Sequence, residues 1–185
     1  MASTYSDLGL ELMATGENAG TWGTKTNANL NLIEQISGGY VSVSIAGSAG
    51  SQALDIDDGA LTGDAQNRVI EFTGSITGNR IITVPVNTEN FYFIKNNTSG
   101  SYTVQLKAAS GSGATVTWTT AQKGWKVVYF DGVATNTGVY EIEIDTVASP
   151  GGSTTQIQYN NSGAFAGDAD LVWTAGTGMT INSQK

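Results

Sequence analysis

The fold is decided by the stretch from Arg80 to Gly132, which reads RIITVP (80–85), NFYFIKNNTSG (90–100), YTVQLK (102–107), GATVTW (113–118) and GWKVVYFDG (124–132). These pieces are rich in β-branched and aromatic residues, and glycine, asparagine and serine mark the turns between them. The same pattern begins earlier, where Val41, Val43 and Ile45 alternate with small polar or apolar residues.

Nine short strands are predicted between residues 40 and 145, at near-regular spacing and without an intervening helical period. They are Val41–Ile45, Ala53–Asp57, Arg68–Thr73, Arg80–Val84, Phe91–Lys95, Tyr102–Lys107, Thr115–Thr119, Trp125–Phe130 and Val139–Asp145. Such a series predicts a mainly β protein, built as an antiparallel β-sandwich or small barrel.

One segment, GENAGTWGTKTNANLNLIEQISGG (16–39), has a different character. It predicts a glycine-jointed turn and then a single short helix, Thr24–Ser37, which two glycines end. An apolar stripe at helical spacing is formed by Leu30, Ile33 and Ile36. Because so short a helix is marginal alone in water, we expect the stripe to pack either on the β region or on copies of itself.

Three parts of the chain resemble bacteriophage tail-fibre proteins. Residues 7–39 resemble the N-terminal segment of many such fibres, in the run Gly-Glu-Asn-x-Gly-Thr-Trp-Gly and the Asn-rich helix that ends in Ile-x-Gly-Gly. Residues 79–132 resemble a β-module of phage fibres and other virion appendages. The run QIQYNNSGAFAGDADLVW (156–173) resembles the repeat unit that begins many trimeric fibre shafts.

The resemblance implies a structural virion protein, a homotrimer whose N-terminal region anchors the fibre to the tail and whose distal part, expected beyond this chain, contacts the host surface. Three regions are expected: an attachment arm with a trimerisation helix (1–39), a β-sandwich (40–147) and the start of a trimeric β-rich shaft (148–185). The final residues do not look like a terminus, so we expect the natural chain to continue past Lys185.

Two sets of contact residues follow. The trimerisation contacts are expected at Leu30, Ile33 and Ile36. Alternation of Leu8, Leu10 and Leu12 predicts an extended arm that can lie on a partner, and Trp22 lies among glycines that allow close backbone approach. Virion attachment is therefore assigned to Leu8, Leu10, Leu12 and Trp22. Two opposing hypotheses are that Trp22 is a core residue of its own chain and that it fills the interior of the trimer.

The expected partners are the other two copies and phage tail adaptor or nozzle proteins, with a host surface glycan as a further candidate. Localisation is expected in the virion tail, after synthesis in the host cytoplasm. No signal peptide and no apolar run of membrane-spanning length is visible in the sequence. A net charge of −8 argues against a nucleic-acid or anionic-membrane footprint.

Composition also limits the chemistry. The chain has no cysteine and no histidine, which excludes a Ser-His-Asp or Cys-His site, a His-ligated zinc and a disulfide framework. Neither a catalytic residue nor a cofactor is predicted. Two acidic groups are interpreted as solvated surface and not as metal sites: a turn with Asp55, Asp57 and Asp58, and one face of a strand with Glu141, Glu143 and Asp145.

Aromatic residues offer an alternative function. Seven could stack on sugars, although strand alternation sends about half of them inward: Phe91, Tyr92, Phe93, Trp118, Trp125, Tyr129 and Phe130. The rival hypotheses are a freestanding carbohydrate-binding β-sandwich, a glycan-degrading spike fragment, and a capsid-vertex fibre or decoration protein. The mass in solution separates the first from a fibre, because a fibre is expected to be trimeric.

Overall fold

The computed structural model describes residues 3–143, 151, 153, 155–162 and 164–181. The chain forms two compact units, Met1–Ile142 and Glu143–Lys185. The region predicted as an attachment arm and helix belongs to the first unit together with the predicted sandwich, so no unit boundary falls at residue 39. The observed boundary lies slightly before the one predicted at residue 147.

The first unit begins with a small hairpin and one α-helix and continues with nine strands and a 3₁₀ helix. The hairpin is β1 (Thr4–Tyr5) and β2 (Glu11–Leu12), and the helix is α1 (Trp22–Gly38). The strands are β3 (Tyr40–Ser44), β4 (Gly50–Ala53), β5 (Val69–Thr73), β6 (Arg80–Val84), β7 (Glu89–Asn96), β8 (Val104–Ala108), β9 (Val116–Trp118), β10 (Gly124–Asp131) and β11 (Val139–Ile142). The 3₁₀ helix, Asp64–Gln66, lies between β4 and β5.

These nine strands form two sheets, one with the order β11-β10-β7-β5-β3 and one with the order β4-β6-β8-β9. Side chains from both sheets enter one hydrophobic core, in which Phe72 of β5 meets Trp118 of β9 edge to face at 6.2 Å. The prediction of a mainly β, sandwich-like fold is confirmed.

The prediction that the strands pair antiparallel is correct for only part of the fold. Four of the ladders are parallel: β3 with β5, β5 with β7, β4 with β6, and β6 with β8. Along the chain, β3 leads to β4, β5 to β6 and β7 to β8, so each pair of strands completes one coil and the three coils stack. A strand therefore meets the equivalent strand of the next coil, which runs in the same direction.

Register shows the same coiling. Tyr40 pairs with Val69 and Val69 with Phe93, so the first coil takes 29 residues and the second takes 24. Corners between the sheets stack as well, through bridges that join Gly47 to Ile76 and Ser75 to Ser99. At one corner Gly100 has a φ of +100°, and a Cβ there would lie 2.2 Å from the Ile76 carbonyl oxygen, so the stack requires glycine.

Antiparallel pairing holds where the coils end. Strand β10 pairs antiparallel with both β7 and β11, and β9 pairs antiparallel with β8. The last strands of the unit thus turn back on the third coil and end the stack.

Most predicted strands are found with small shifts, but Ala53–Asp57 is not a strand. The chain leaves the sheet after β4 and forms a loop that includes the 3₁₀ helix. Buried Gln66 organises this loop: its amide oxygen accepts from the backbone N–H groups of Asp57 and Gly63, and its amide nitrogen donates to the Asp57 carbonyl. Side chain–backbone bonds therefore replace a strand ladder here.

The helix begins earlier than predicted, at Trp22 and not at Thr24. Thr21 is the N-cap residue, and its side chain makes no capping hydrogen bond. The predicted end at the two glycines is confirmed, because α1 ends at Gly38 with Gly39 as the C-cap.

The second unit contains three antiparallel strands in the order β12 (Gln156–Asn161), β13 (Ala164–Thr174) and β14 (Gly178–Ile181). Among the residues of this unit whose side chains the structure describes, none is buried. Asp145 and the rest of 144–150 lie outside the described residues.

The adjacent pair Ile81 and Ile82 provides a matched test of the core. Ile82 is fully buried in β6, whereas the Ile81 side chain points outward from the same strand and is partly exposed. We expect Ile82→Ala to lower the free energy of unfolding by about 2–5 kcal/mol, because it leaves a cavity between the sheets. Ile81→Ala should cost well under half of that. Urea unfolding of both variants measures the difference, and equal losses would contradict the proposed sheet orientation.

Candidate interaction surfaces

The N-terminal arm was predicted to be extended and to lie on a partner. In the structure it instead folds back on the first unit. Between β1 and β2, the N–H of Ser6 donates to the carbonyl of Leu10 at 2.9 Å, and the N–H of Gly59 donates to the carbonyl of Gly9 at 2.8 Å. The side chains of Leu8 and Leu10 are half-buried, and only Leu12 of the three predicted leucines is largely exposed. The alternation of leucines therefore does not indicate a free arm here, because hydrogen bonds join the arm to the loop of the first coil.

Gln66 joins the arm to the loop of the first coil. Its side-chain nitrogen donates to the Leu8 carbonyl at 3.1 Å, in addition to its bonds within the loop. The adjacent Gly9 has a φ of +79°, and a Cβ there would lie 2.5 Å from that nitrogen. A side chain at position 9 would push the arm away from the loop.

Glu11 joins the arm to α1. Its buried carboxylate lies 2.9 Å from the ammonium of Lys25, and Ser3 donates to it at 2.7 Å. Asn29 bonds the Glu11 backbone twice: its amide oxygen accepts from the Glu11 N–H, and its nitrogen donates to the Glu11 carbonyl. The hydrogen bonds from Lys25 and then Ser3 hold the pKa of Glu11 below its usual value, and Glu11 in turn raises the pKa of Lys25.

The helix α1 divides the predicted trimerisation stripe. Ile36 is buried within the chain, as is Leu32, so Ile36 cannot belong to an exposed contact surface. Leu30 and Ile33 are 57% and 48% exposed. The reason is that the helix has an apolar surface wider than one stripe, and only the edge with Leu32 and Ile36 meets the rest of the unit.

Trp22 lies on the exposed side with Leu30 and Ile33 and is 65% exposed. At 100° per residue, these three positions fall within a sector of about 80° on the helix. Its exposure shows that the hypothesis of Trp22 as a core residue of its own chain is wrong, whereas the hypothesis that it fills the interior of a trimer stays a prediction. We call Trp22, Leu30 and Ile33 the helix stripe.

A larger exposed surface lies on the outside of the five-stranded sheet. One row of paired positions crosses all five strands and is apolar throughout: Ile142, Val127, Phe93, Val69 and Tyr40. A second row, next to the first on the same face, contains Tyr140, Tyr129 and Phe91. Next to the first row in the opposite direction along the strands, Trp125 of β10 pairs with Lys95. We call these nine apolar and aromatic residues the sheet face.

Polar groups at the edge of the sheet face are bonded to one another. Glu71 accepts hydrogen bonds from the hydroxyl of Tyr40, from Lys95 at 3.0 Å and from Asn97 at 2.7 Å. The hydrogen bonds from Tyr40 and then Lys95 lower the pKa of Glu71. The bond between Tyr40 and Glu71 also raises the pKa of Tyr40. The guanidinium of Arg68 lies 4.0 Å from the centre of the Phe91 ring, a cation–π contact.

The outside of the four-stranded sheet differs, although its strands are stacked in the same way. The row that crosses it contains Ser51, Ile81, Gln105 and Thr117, with one apolar member. Stacked coils therefore do not by themselves make an apolar outer row.

The second unit exposes a third apolar surface. Across β13 and β14, Leu171 pairs with Ile181 and Trp173 with Met179, so all four side chains share one face. Trp173 is 56% and Ile181 64% exposed. We call this set the hairpin face.

A cleft of about 550 Å³ lies between the end of α1 and the loop of the first coil. Its lining is mostly polar and includes Asn31, Glu34, Gln35 and Asn67 together with Tyr40 and Leu61. The amides of Gln35 and Asn67 are engaged with backbone carbonyls, at 3.2 Å from Leu61 and Gly63 respectively. The Gln35 amide therefore joins α1 to the loop, whereas the Asn67 amide bonds within the loop.

The acidic candidates do not converge. In the described part of the chain, no three acidic side chains lie close enough to hold a metal ion. Asp57 instead accepts a hydrogen bond from Thr62, and Glu141 forms an ion pair with Lys126. Among the described residues, no helix combines the length and the apolar character that crossing a bilayer requires.

Comparison with known proteins gives no match. No protein-family model fits the chain, and no curated protein or solved structure is significantly similar to it.

Sequence reasoning did not predict that the residues of the sheet face lie together on one surface. Of the seven aromatic candidates, the buried ones are Tyr92, Trp118 and Phe130, and those on the sheet face are Phe91, Phe93, Trp125 and Tyr129. The predicted division between inside and outside is confirmed. Their convergence with Tyr40 and Tyr140 depends on strand order, which no local pattern encodes.

The ion pair of the arm generates a pH prediction. The pKa values of Glu11 and Glu17 are both lowered in the folded chain, the latter mainly by a hydrogen bond from Ser3. Their stabilisation is present above the ordinary pKa of 4.5 and is lost as the pH falls through the lowered values. Hydrogen exchange of residues 3–17, corrected for intrinsic rates, should therefore accelerate as the pH falls below the lowered pKa values, while β7 stays protected.

Two variants test the assignment at neutral pH. Glu11→Gln should already accelerate exchange in the arm, whereas Glu34→Gln, at an exposed position of α1, should not. Protection of the arm that is unchanged from pH 7 to the acid range, in the wild type and in both variants, would show that these carboxylates do not hold it.

Proposed function

We propose that this chain is the virion-proximal part of a bacteriophage tail fibre, a homotrimeric structural protein that acts by binding and not by catalysis. The observation that carries the proposal is the hairpin face, an apolar surface on a three-stranded sheet that has no buried residue among those described. Because residues 156–173 resemble the repeats of trimeric fibre shafts, we infer that the hairpin face is covered by the same segment of the other two copies.

A sheet of this kind needs a cover. A small sheet gains its stability in water by burying an apolar face, yet the large side chains of Trp173, Met179 and Ile181 are more than half exposed. Copies of the same segment, intertwined around a common axis, would bury these side chains without any other protein. The exposed Leu30 and Ile33 of the helix stripe are available for a second contact between copies.

Attachment is assigned to the N-terminal region. The arm lies against the first unit, but Leu12 and Trp22 remain exposed, and a ring as large as that of Trp22 is a typical anchor in a partner's pocket. The proposed partners are tail adaptor or nozzle proteins, and the proposed location is the virion tail.

The assembly is tested by mass. Sedimentation of the full chain should give three times the chain mass of 19.2 kDa. Trp173→Asp should dissociate the trimer or lower its melting temperature, because it places three charges in the proposed shaft interior. Thr174→Asp, at the next position of the same strand and therefore on its other face, is the matched control and should remain trimeric. A monomeric wild type would refute the proposal.

Attachment is tested by assembly on tails that lack fibres. Trp22→Ala should leave the trimer intact and reduce binding to such tails at least tenfold, a loss typical of a central anchor residue. Tyr102→Ala, which removes another exposed aromatic ring, should bind normally. If Trp22→Ala weakens the trimer while the remaining trimers still bind, Trp22 contributes to the contact between copies and attachment lies elsewhere in the arm.

A freestanding carbohydrate-binding domain is the second candidate, since the sheet face exposes aromatic rings of the kind that stack on sugars. A monomer that binds oligosaccharides would favour it. A capsid-vertex fibre would also be trimeric, and is separated from a tail fibre by where labelled antibody binds on the particle.

A further inference from the structure

The cleft between the end of α1 and the loop of the first coil contains an amide oxygen to which the fold supplies no donor. Asn67, which lines the cleft, is only 8% exposed. Its amide nitrogen donates to the carbonyls of Gly63 and Asp64, at 3.2 and 3.4 Å, whereas its Oδ1 accepts no hydrogen bond from the described residues. Because buried polar groups are almost always paired, this oxygen points to a donor that comes from outside the chain.

Gly39 keeps that oxygen open to the cleft. A Cβ at position 39 would lie 2.8 Å from Oδ1 of Asn67 and 2.6 Å from the carbonyl oxygen of Gln35. The backbone of Gly39 has a φ of −65° and a ψ of 152°, which any residue can adopt, so glycine is needed here for space and not for conformation. Its missing side chain leaves room beside Asn67, at a position that itself lines the cleft.

The side chains that line the cleft offer more free acceptors than free donors. The amide nitrogens of Gln35 and Asn67 and the hydroxyl of Tyr40 already donate within the chain. The two amide oxygens are free, and the carboxylate of Glu34 has neither an ion pair nor a hydrogen bond in the described part of the chain. Among these lining side chains, only Asn31 keeps an unused donor.

The electrostatics of the cleft favour a positively charged ligand. The cleft lies at the C-terminal end of α1, where the helix dipole is negative, and the last turn contains no basic residue. The carboxylate of Glu34 adds a full negative charge to this end of the helix. The ring of Tyr40 is 56% exposed and offers its face for a cation–π contact.

The basic residues next to the cleft are engaged elsewhere. Lys95 forms an ion pair with Glu71, the carboxylate that accepts from the Tyr40 hydroxyl. The guanidinium of Arg68, which follows Asn67 in the chain, lies over the ring of Phe91. Neither of these two basic side chains is part of the cleft lining, so neither neutralises Glu34 there.

We propose that this cleft binds an organic cation through a primary ammonium or guanidinium group, carried by a free amine or by a lysine or arginine side chain of a partner protein. Such groups have three or more donors and no acceptor, which matches a lining of free acceptors. A saccharide hydroxyl both donates and accepts, and therefore fits this lining less well. The proposal concerns the single chain and does not rest on the trimer.

The test is a titration of the isotope-labelled full-length protein, followed through its NMR signals. The probe is n-butylammonium chloride, N-acetyl-lysine methylamide carries the same group on a peptide unit, and n-butanol is the neutral control. The side-chain amide signals of Gln35 and Asn67 should shift saturably with an ammonium probe, at millimolar concentrations, and not with n-butanol. A shift with n-butylammonium alone supports a free amine as the ligand, and a shift with both probes supports a basic side chain of a partner.

Charge-matched variants separate the cleft from the overall negative charge of the chain. Glu34→Gln should raise the half-saturating concentration about threefold, a change typical of one exposed charge contact. Asp58→Asn removes the same charge from an exposed loop position outside the cleft lining and should leave that concentration unchanged. Gly39→Ala places a Cβ beside Asn67 Oδ1 and should remove the response of Asn67, with circular dichroism to verify that the sheets are kept.

Several results would overturn the inference. They are the absence of a saturable shift with either ammonium probe, an equal shift with n-butanol, and an equal loss of affinity in Glu34→Gln and Asp58→Asn. A shift of these amides with maltohexaose but with neither ammonium probe would assign the cleft to a saccharide and would overturn it too. A monomeric mass in sedimentation refutes the proposed trimer but leaves this titration valid, so the two failures are distinguishable.

Discussion

The hydrogen bonding between stacked coils is the constraint on which the rest of the first unit depends. Each coil satisfies its backbone groups only through its neighbours, so the stack leaves open edges at both ends that would bind further strands. After the third coil, β10 and β11 pair antiparallel with β7, and β9 pairs with β8, which changes the strand direction and stops the coiling. Before the first coil, α1 and the arm are bonded to the long loop between β4 and β5.

This arrangement explains why the arm cannot act as a loose tether. Gln66 holds Leu8 on the loop, and Glu11 with Lys25 and Asn29 holds the arm on α1. What the N-terminal region can offer a partner is therefore a shaped surface of outward side chains and not a flexible extended strand. A rigid surface loses less conformational entropy on binding than a flexible arm, but it adapts less readily to partners of different symmetry. The proposed attachment through Trp22 fits the first property.

The sequence predicted the class and number of strands because alternation is a local property, and it placed one helix because its 3.6-residue period is local too. Strand direction was not predictable in the same way. The stretch from Ile45 to Gly50 carries the chain from one sheet to the other, which no local pattern indicates. The burial of Ile36 and the exposure of Ile33 also depend on which side of α1 meets the unit, and that side is set by tertiary contacts such as the bond from Gln35 to Leu61.

In-register stacking also converts single residue choices into extended surfaces. In a parallel stack, equivalent positions of successive coils lie about 4.8 Å apart, so one outward apolar residue per strand produces a continuous row. Tyr40, Val69 and Phe93 form such a row over three coils, and Val127 and Ile142 extend it over the antiparallel strands. Any one of these residues alone would be an ordinary exposed side chain. Five such residues in register form one continuous apolar surface. The largely polar row on the other sheet shows that stacked coils do not require an apolar outer row.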